Sequence, residues 1–274
     1  MKLGISTWSL LNSDLNSAVR AIGDADFEFI ELWGEVPHAY HDWTDSKRLK
    51  ETLSNYDMTL TLHAPFTDLN LATPFQPVKG AVARTLTDFV KFGEHLGASM
   101  ITLHPGSVYN EALVPKSTES SVAILRGLVK ESGGRLTICI ENQARSKSKY
   151  HFPLASTIES LELMLAQVEG SRFTLDTGHA HVSGLDPMIL AERVGSKLAE
   201  IHLSDNAGVT DDHLIPREGT ASLQGLIDKV SQSDVLLCLE LDPHTYTQDQ
   251  VISVALELKT KLAKGRGRPS PSLC

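Results

Sequence analysis

The chain has 274 residues, of which 41% are hydrophobic and 22% are charged, proportions typical of a folded globular protein. Its formal net charge is -9 at pH 7. This acidic balance argues against a nucleic-acid partner, because binding to phosphates requires a basic face. The sequence has three cysteines and no CxxC pair, which predicts a reducing compartment and argues against a disulfide framework.

The sequence shows no sign of a membrane-associated or exported protein. It has no apolar leader with a small-residue cleavage site and no apolar run of about 18 residues. We therefore expect no membrane contact and a cytoplasmic location. The length is close to the roughly 250 residues of one α/β barrel.

Apolar runs that suit buried strands alternate with segments that suit helices along the whole chain. This alternation predicts parallel βα units, and eight such units predict a single (β/α)8 TIM barrel over residues 1–264, followed by a disordered tail at 265–274. An open, doubly wound sheet is the competing architecture, but GxGxxG follows none of the strands. The predicted strands span residues 2–7, 27–33, 58–63, 99–104, 136–142, 172–176, 198–205 and 235–242. The predicted helices span residues 13–22, 45–56, 79–96, 117–132, 157–168, 186–194, 222–231 and 248–262.

Six consecutive strands, the third to the eighth, have histidine, aspartate or glutamate at their last or next-to-last position. The clearest case is RFTLDTGHAH at 172–181, where Asp176 and His179 follow an apolar strand directly. Burying such groups is costly unless they are paired or bound to a cation. The carboxyl ends of barrel strands meet at one face, and imidazoles and carboxylates are ligands of zinc and manganese. The pattern therefore predicts a divalent-metal site at this face.

Seven short motifs, taken together, resemble the xylose isomerase-like TIM-barrel superfamily. This superfamily contains sugar and sugar-phosphate isomerases and epimerases, and also endonuclease IV-type apurinic-site nucleases. The resemblance covers about residues 1–262. The motifs are LHAPF at 62–66, LHPG at 103–106, IEN at 140–142, LDTGH at 175–179, IHLSDN at 201–206, DDHL at 211–214 and LEL at 239–241.

The resemblance implies a set of ligands for one to three ions of zinc or manganese. In the epimerase branch one divalent metal is held by residues that match Glu141, Asp176, His202 and Glu240, and the two glutamates also act as the acid/base pair. In the nuclease branch three zinc ions use these four residues and five more. The five additional positions match His63, His104, His179, Asp211 and His213.

Three departures bear on the choice between the two branches. The first strand ends in Ser6-Thr7-Trp8, which is similar to the sugar enzymes. The loop at 34–43 has no arginine or lysine to hold a DNA backbone. Arg217, in IPREGT at 215–220, stands where relatives have a small residue, and it suits either an anion clamp or an ordinary solvated loop position.

The sequence therefore favours a metal-dependent sugar or sugar-phosphate isomerase/epimerase. Glu141 and Glu240 would transfer the proton, and His179 and Arg217 would bind the substrate. The alternative is a zinc-dependent phosphodiesterase of the apurinic-site nuclease type, although DNA is not the expected partner. A third alternative is a ligand-binding barrel that has lost its activity. The oligomeric state and the particular sugar stay open.

Overall fold

Eight parallel strands close into a barrel in the computed structural model, which describes residues 1–38, 43–145 and 147–266. Around the barrel the strands follow the order β1-β8-β7-β6-β5-β4-β3-β2, as expected when right-handed βα units succeed one another. This closure confirms the predicted (β/α)8 barrel and excludes the open sheet. The barrel strands are β1 Lys2–Ser6, β2 Phe29–Trp33, β3 Thr59–His63, β4 Met100–Leu103, β5 Thr137–Glu141, β6 Arg172–Asp176, β7 Leu198–Leu203 and β8 Leu236–Leu239.

The helices lie where the sequence predicts them, with one addition. The short helix α6 follows β6 directly, because the carboxylate of Asp176 accepts the backbone N–H of His179 and caps its first turn. Within the described ranges, the helices are all too short or too polar to cross a bilayer. The helices are α1 Leu15–Asp24, α2 Trp43–Leu53, α3 Gln76–Leu96, α4 Val114–Ser132, α5 Ile158–Gln167, α6 Thr177–Val182, α7 Pro187–Val194, α8 Gln224–Val230 and α9 Gln248–Arg266.

Most predicted boundaries differ from the structure by one to four residues, and two predicted segments fall partly outside it. Helix α3 begins at Gln76 rather than 79, because Pro77 fits the first turn of a helix. Helix α9 continues to Arg266, past the predicted end at 262. Residues 267–274 of the predicted tail and 39–42 of the predicted loop at 34–43 lie outside the described residues. The division into barrel and tail therefore stays a prediction.

A small two-stranded sheet, which the sequence does not predict, joins two loops at the carboxyl end of the barrel. Ser107–Val108, after β4, pairs antiparallel with Phe152–Pro153, after β5. The backbone N–H of Leu154 also donates to the carbonyl of Gly106 at 2.9 Å. These bonds fix the two loops against each other and so shape one wall of the cavity described below.

The strands bury side chains on both of their faces. Apolar residues such as Leu62 and Ile101 pack outward with the buried Phe89 and Phe92 of α3 in the main hydrophobic core. Other side chains point into the barrel, since successive strand residues alternate between faces. Several buried interior positions are polar, and they provide the floor on which the functional site rests: Glu31, Thr61, Thr102, Thr174 and Glu200.

Gly4 on β1 is a position where even one methyl group does not fit. A Cβ built there would overlap the backbone oxygen and the ring of Phe29 on the neighbouring β2. We expect Gly4→Ala to destabilise the protein by about 3 kcal/mol, the upper end for overpacking. Thermal unfolding should show a melting temperature lower by roughly 6–12 °C.

The matched control is Gly127→Ala on the exposed face of α4. A Cβ at Gly127 meets nothing within 4 Å among the described residues. This control should gain about 0.5–1 kcal/mol, because alanine favours the helix over glycine. Equal melting temperatures for the two variants would contradict the tight β1–β2 contact.

Candidate functional site

The nine predicted ligand residues converge at the carboxyl end of the barrel and form what we call the candidate metal centre. Seven of them line a cavity of about 750 Å³. Asp176 and His202 lie beneath this cavity and are fully buried. The nine residues are His63, His104, Glu141, Asp176, His179, His202, Asp211, His213 and Glu240.

Glu141, at the end of β5, is the hub of the candidate metal centre. Its Oε2 lies 3.2 Å from Nε2 of His63 and 3.1 Å from Nε2 of His104. Its Oε1 lies 3.4 Å from Nδ1 of His179 and 3.5 Å from Nδ1 of His202. One buried carboxylate therefore faces four imidazoles from four different strand ends.

The deepest part of the centre combines Asp176, His202 and Glu240. Each offers a ligand atom, and these atoms lie within 4.8 Å of one another. Nδ1 of His202 is 3.3 Å from Oε2 of Glu240. An arrangement of two carboxylates and one imidazole, from β6, from β7 and from the residue after β8, matches the ligand preferences of zinc and manganese.

The outer part of the centre is built around Asp211, in the loop after β7. Its Oδ2 lies 3.0 Å from Nε2 of His179 and 3.2 Å from Nε2 of His213. His179 thus belongs to two groups, one with Asp211 and His213, the other with His104 and Glu141. Each of these two groups has ligand types and spacing that could hold a metal ion.

Backbone carbonyls fix the orientation of three of these imidazoles. Nδ1 of His63 lies 2.9 Å from the carbonyl of Ala64, and Nδ1 of His179 lies 2.8 Å from that of Asn142. A similar contact of 3.1 Å joins His213 to the carbonyl of Glu240. Because a carbonyl only accepts, each Nδ1 carries the proton and each Nε2 is turned toward the cavity.

Three buried atoms of the centre support a bound cation. Oδ2 of Asp176, Nδ1 of His202 and Oδ1 of Asp211 have no hydrogen-bond partner among the described residues. Such unpaired buried acceptors are costly and call for an explanation, of which an ion is one. The residues therefore fit a divalent metal.

The charges of the centre shift the pKa values of its groups in different directions. Burial raises the pKa of Glu141, but the imidazoles of His104 and His202 outweigh it and hold that pKa well below 4.5. Burial dominates at Glu240 and raises its pKa despite His202. The two glutamates therefore differ in proton affinity.

The imidazoles also differ from one another. Burial lowers the pKa of His63, but the hydrogen bond and charge of Glu141 outweigh it and raise that pKa to about 9. Burial also lowers the pKa of His213, but the charge and hydrogen bond of Asp211 outweigh it and raise that pKa to about 10. Burial prevails at His104 and lowers its pKa.

Aromatic rings form an apolar wall beside this polar centre. Phe66 stacks on His104 with ring centroids 4.2 Å apart. The rings of Trp33 and His63 are 4.8 Å apart, and those of Trp8 and His213 are 4.6 Å apart. A cavity with a polar floor and flat apolar walls suits a small molecule that has both polar groups and C–H faces.

Arg217 lies apart from the nine other predicted site residues, which border or underlie the cavity. It lines a separate groove between α8 and α9, and its backbone N–H donates to Asp205. Its φ of 89° belongs to a turn that sequence reasoning does not resolve. The geometry gives its predicted substrate contact no support, so that role stays a prediction.

Two glutamates that sequence reasoning passes over, Glu31 and Glu200, lie directly beneath the centre. Both are fully buried inside the barrel, and they form a further ligand-type group with His202. The signal was present in the sequence, since Glu200 and His202 are two residues apart on one strand and must therefore face the same side.

Comparison with known proteins places the fold among characterised and uncharacterised relatives. The uncharacterized protein MJ1311 of Methanocaldococcus jannaschii is 26% identical over 241 residues, which cover 85% of this chain and 80% of that protein. Fructoselysine 3-epimerase of Escherichia coli O157:H7 is 22% identical over 241 residues, 83% of this chain and 84% of its own.

A solved structure and a family model agree with these relatives. The crystal structure of a D-tagatose 3-epimerase-like protein has a TM-score of 0.84 at 24% identity, over 97% of this chain and 98% of that one. This likeness shows a shared fold. The model of the xylose isomerase-like TIM barrel matches residues 19–258. The chain therefore belongs to the xylose isomerase-like TIM-barrel family.

Proposed function

We propose that the protein is a divalent-metal-dependent epimerase or isomerase of a sugar or sugar phosphate. The observation that carries this proposal is the placement of Glu141 and Glu240, from β5 and β8. Both carboxylates approach Nδ1 of His202, at 3.5 and 3.3 Å, at the floor of one cavity. Two carboxyl groups that face one cavity can exchange a proton with a substrate held between them.

Asp176, His202 and the two glutamates would hold the metal, which we expect to be zinc or manganese. Once bound, the ion would polarise the carbonyl and the adjacent hydroxyl of an open-chain sugar. The buried Oδ2 of Asp176 and Nδ1 of His202 support this assignment, because neither atom has a hydrogen-bond partner among the described residues.

The glutamates would move the proton. Glu141, whose pKa the neighbouring imidazoles hold down, is the group that would take the proton from the carbon next to the carbonyl. Glu240, whose pKa burial raises, would return a proton on the opposite face. In the reverse reaction the two residues exchange roles, as the reversibility of an epimerisation requires.

Other residues of the centre would bind and orient the substrate. His179, which borders the cavity with Nε2 turned toward it, would hydrogen-bond a sugar oxygen and steady its negative charge. Trp8, Trp33 and Phe66 would pack against the C–H faces of the sugar and exclude water. The names of two similar proteins, a fructoselysine 3-epimerase and a D-tagatose 3-epimerase-like protein, support the same chemistry.

A substrate screen tests this proposal. Zinc- and manganese-loaded protein would be incubated with a panel of ketoses and ketose phosphates, and epimers or aldose isomers would be separated by chromatography. We expect one or more pairs to interconvert, with no conversion after removal of metal by a chelator. Bound metal without conversion of any member of the panel would count against the proposal.

The second candidate function, a phosphodiesterase of the apurinic-site nuclease type, rests on a separate observation. Further ligand groups lie with or beside Glu141. They are formed by His63, His104, His179, Asp211 and His213. More than one ion could therefore bind, as a hydrolytic site with several zinc ions requires. The net charge of -9 and the cation-free sequence at 34–43 weigh against binding of DNA.

We predict that zinc-loaded protein binds more than one metal ion per chain but does not incise a duplex that contains an abasic site. The assay would use low salt, where phosphate contacts are strongest, and would look for a cut on the 5′ side of the lesion. Efficient incision that His104→Ala abolishes would favour the nuclease over the epimerase.

A further inference from the structure

A layer of polar side chains lies inside the barrel, directly beneath the candidate metal centre. Glu31 of β2 and Glu200 of β7 are its two carboxyl groups, and both are 0% exposed. Both point into the interior: Glu31 contacts His202, and Glu200 lies two residues before His202 on the same strand. Neither borders the cavity, so neither is expected to touch a substrate.

The two buried glutamates have different partners. Oε2 of Glu31 lies 3.1 Å from Nε2 of His202. The oxygens of Glu200 lie 3.3 and 3.2 Å from the hydroxyls of Thr61 and Thr102, and its contact with the same Nε2 is longer, at 4.0 Å. Glu31 is therefore the hydrogen-bond partner of His202, whereas Glu200 belongs to a hydroxyl network.

The contact with Glu31 determines which nitrogen of His202 faces the centre. A carboxylate can only accept, so Nε2 must carry a proton. Nδ1 points the other way, toward Glu240 and Glu141, and has no hydrogen-bond partner among the described residues. A neutral ring with the proton on Nε2 has its lone pair on Nδ1, which is the atom able to bind a metal.

We propose that Glu31 is a positioning residue of the metal centre: it accepts the Nε2–H of His202 and thereby presents Nδ1 to the metal. This inference rests on the proposed metal dependence of the site, but not on which sugar is the substrate. A carboxylate that holds the far nitrogen of a metal-binding histidine fixes its tautomer and orientation and increases its basicity as a ligand. Glu31 thus acts through His202 and makes no contact with the reacting atoms.

Variants of both buried glutamates test this role. Zinc affinity would be measured by competition with a chromophoric chelator in Glu31→Leu, Glu31→Gln and Glu200→Gln proteins. We expect Glu31→Leu to lose about 10- to 100-fold in affinity. Glu31→Gln should retain more of it, because an amide oxygen still accepts the Nε2–H. Glu200→Gln, equally buried and in the same layer, is the matched control and should bind zinc as tightly as the unsubstituted chain.

Nitrogen-15 NMR of the zinc-loaded protein provides a readout that a purely structural role would not change. We expect the ring of His202 to carry its proton on Nε2, and His202→Gln identifies the signal. A ring with the proton on Nδ1 would overturn the proposal. Equal zinc affinities in all three variants would do so too, as would an equal loss in Glu200→Gln.

The test of Glu31 can fail or succeed independently of the proposed epimerase function. If both Glu31 variants turn over substrate and bind zinc with unchanged affinity, the epimerase proposal would be kept and the positioning role of Glu31 would be rejected. Conversely, a selective affinity loss in Glu31→Leu, with no conversion of any sugar, would support Glu31 and count against the epimerase. Circular dichroism melting of each variant would confirm that Glu31→Gln, which preserves the side-chain volume, is folded.

Discussion

Replacing Glu141 or Glu240 with alanine is expected to lower turnover at least about 100-fold, the usual loss for a positioned proton-transfer group. Each change removes a proton-transfer carboxylate and a candidate metal ligand together, because both side chains face His202 at the floor of the cavity. The measurement is the rate of epimer interconversion at saturating metal, on a substrate identified by the screen.

Glutamine variants at the same positions separate the two roles. Glu141→Gln and Glu240→Gln keep the shape and one oxygen but cannot take up a proton, so turnover should fall as far as in the alanine variants, with a smaller loss of metal. Asp212→Ala, in the loop after β7 next to Asp211, is the control and should remain active. Near-normal turnover in either glutamine variant would contradict the proton-transfer mechanism.

The second large effect concerns metal and pH together. We expect zinc to raise the melting temperature much more at pH 8.5 than at pH 6.5. The pKa of His63 is raised to about 9 and that of His213 to about 10, so zinc that binds at these two predicted ligands must displace a proton from each imidazole. Each displaced proton weakens apparent affinity about tenfold per pH unit below its pKa. At roughly 1,000 times the dissociation constant, bound metal adds about 4 kcal/mol of stability.

The metal-free protein should change in the opposite direction. A histidine whose pKa is raised on folding stabilises the fold fully below its ordinary value of 6.5, and this stabilisation is lost as pH rises through the raised value. For His63 and His213 that window runs from 6.5 to about 9 and about 10. These two histidines should therefore make the metal-free protein less stable as pH rises, while zinc stabilises it more.

Matched histidine variants test the cause of this pH dependence. His63→Gln should weaken the pH dependence of the zinc effect, because it removes one displaceable proton. His104→Gln should change it less, since burial lowers the pKa of His104 and leaves no proton to displace. A zinc effect of equal size at pH 6.5 and 8.5 in the unsubstituted chain would contradict the charge pattern of the centre.

The barrel and its strand ends are predictable from the sequence, because both follow from local patterns. The segment at 172–176 coincides with β6, and the polar residues after the strands all lie at the carboxyl face. The strands alternate with helices at regular intervals, and parallel pairing then brings their ends together. The residues at the strand ends could be placed without knowledge of the loops, whereas Asp211 and His213, in the loop after β7, were placed by the resemblance of the DDHL motif at 211–214.

The loops were not predictable in the same way. The pairing of Ser107–Val108 with Phe152–Pro153 joins segments more than 40 residues apart through a few backbone bonds, which leave no composition signal. Arg217 turns away from the cavity because its loop is held by Asp205, which accepts backbone N–H groups of Asn206, Arg217 and Ala221. Such side chain–backbone contacts determine the direction of a side chain, and residue type alone does not reveal them.

Glu31 was missed for a different reason. Its strand reads FEFIELW in the sequence, and the apolar residues of this segment are the ones that predict a buried strand. The partner that makes its burial tolerable, His202, is 171 residues away. A glutamate inside a barrel strand is itself a signal, however, because a buried carboxylate requires a partner.

Deuterium uptake from solvent tests the central claim most directly. Metal-loaded protein would be incubated in D2O with ketoses and ketose phosphates, and proton NMR would follow the hydrogen on the carbon next to the carbonyl. The proposed mechanism predicts exchange at this carbon in a substrate and its epimer. The exchange should be lost on chelation and in Glu141→Gln and Glu240→Gln proteins. Epimers that form without any deuterium at this carbon, or exchange that persists in both variants, would contradict proton transfer by the two glutamates.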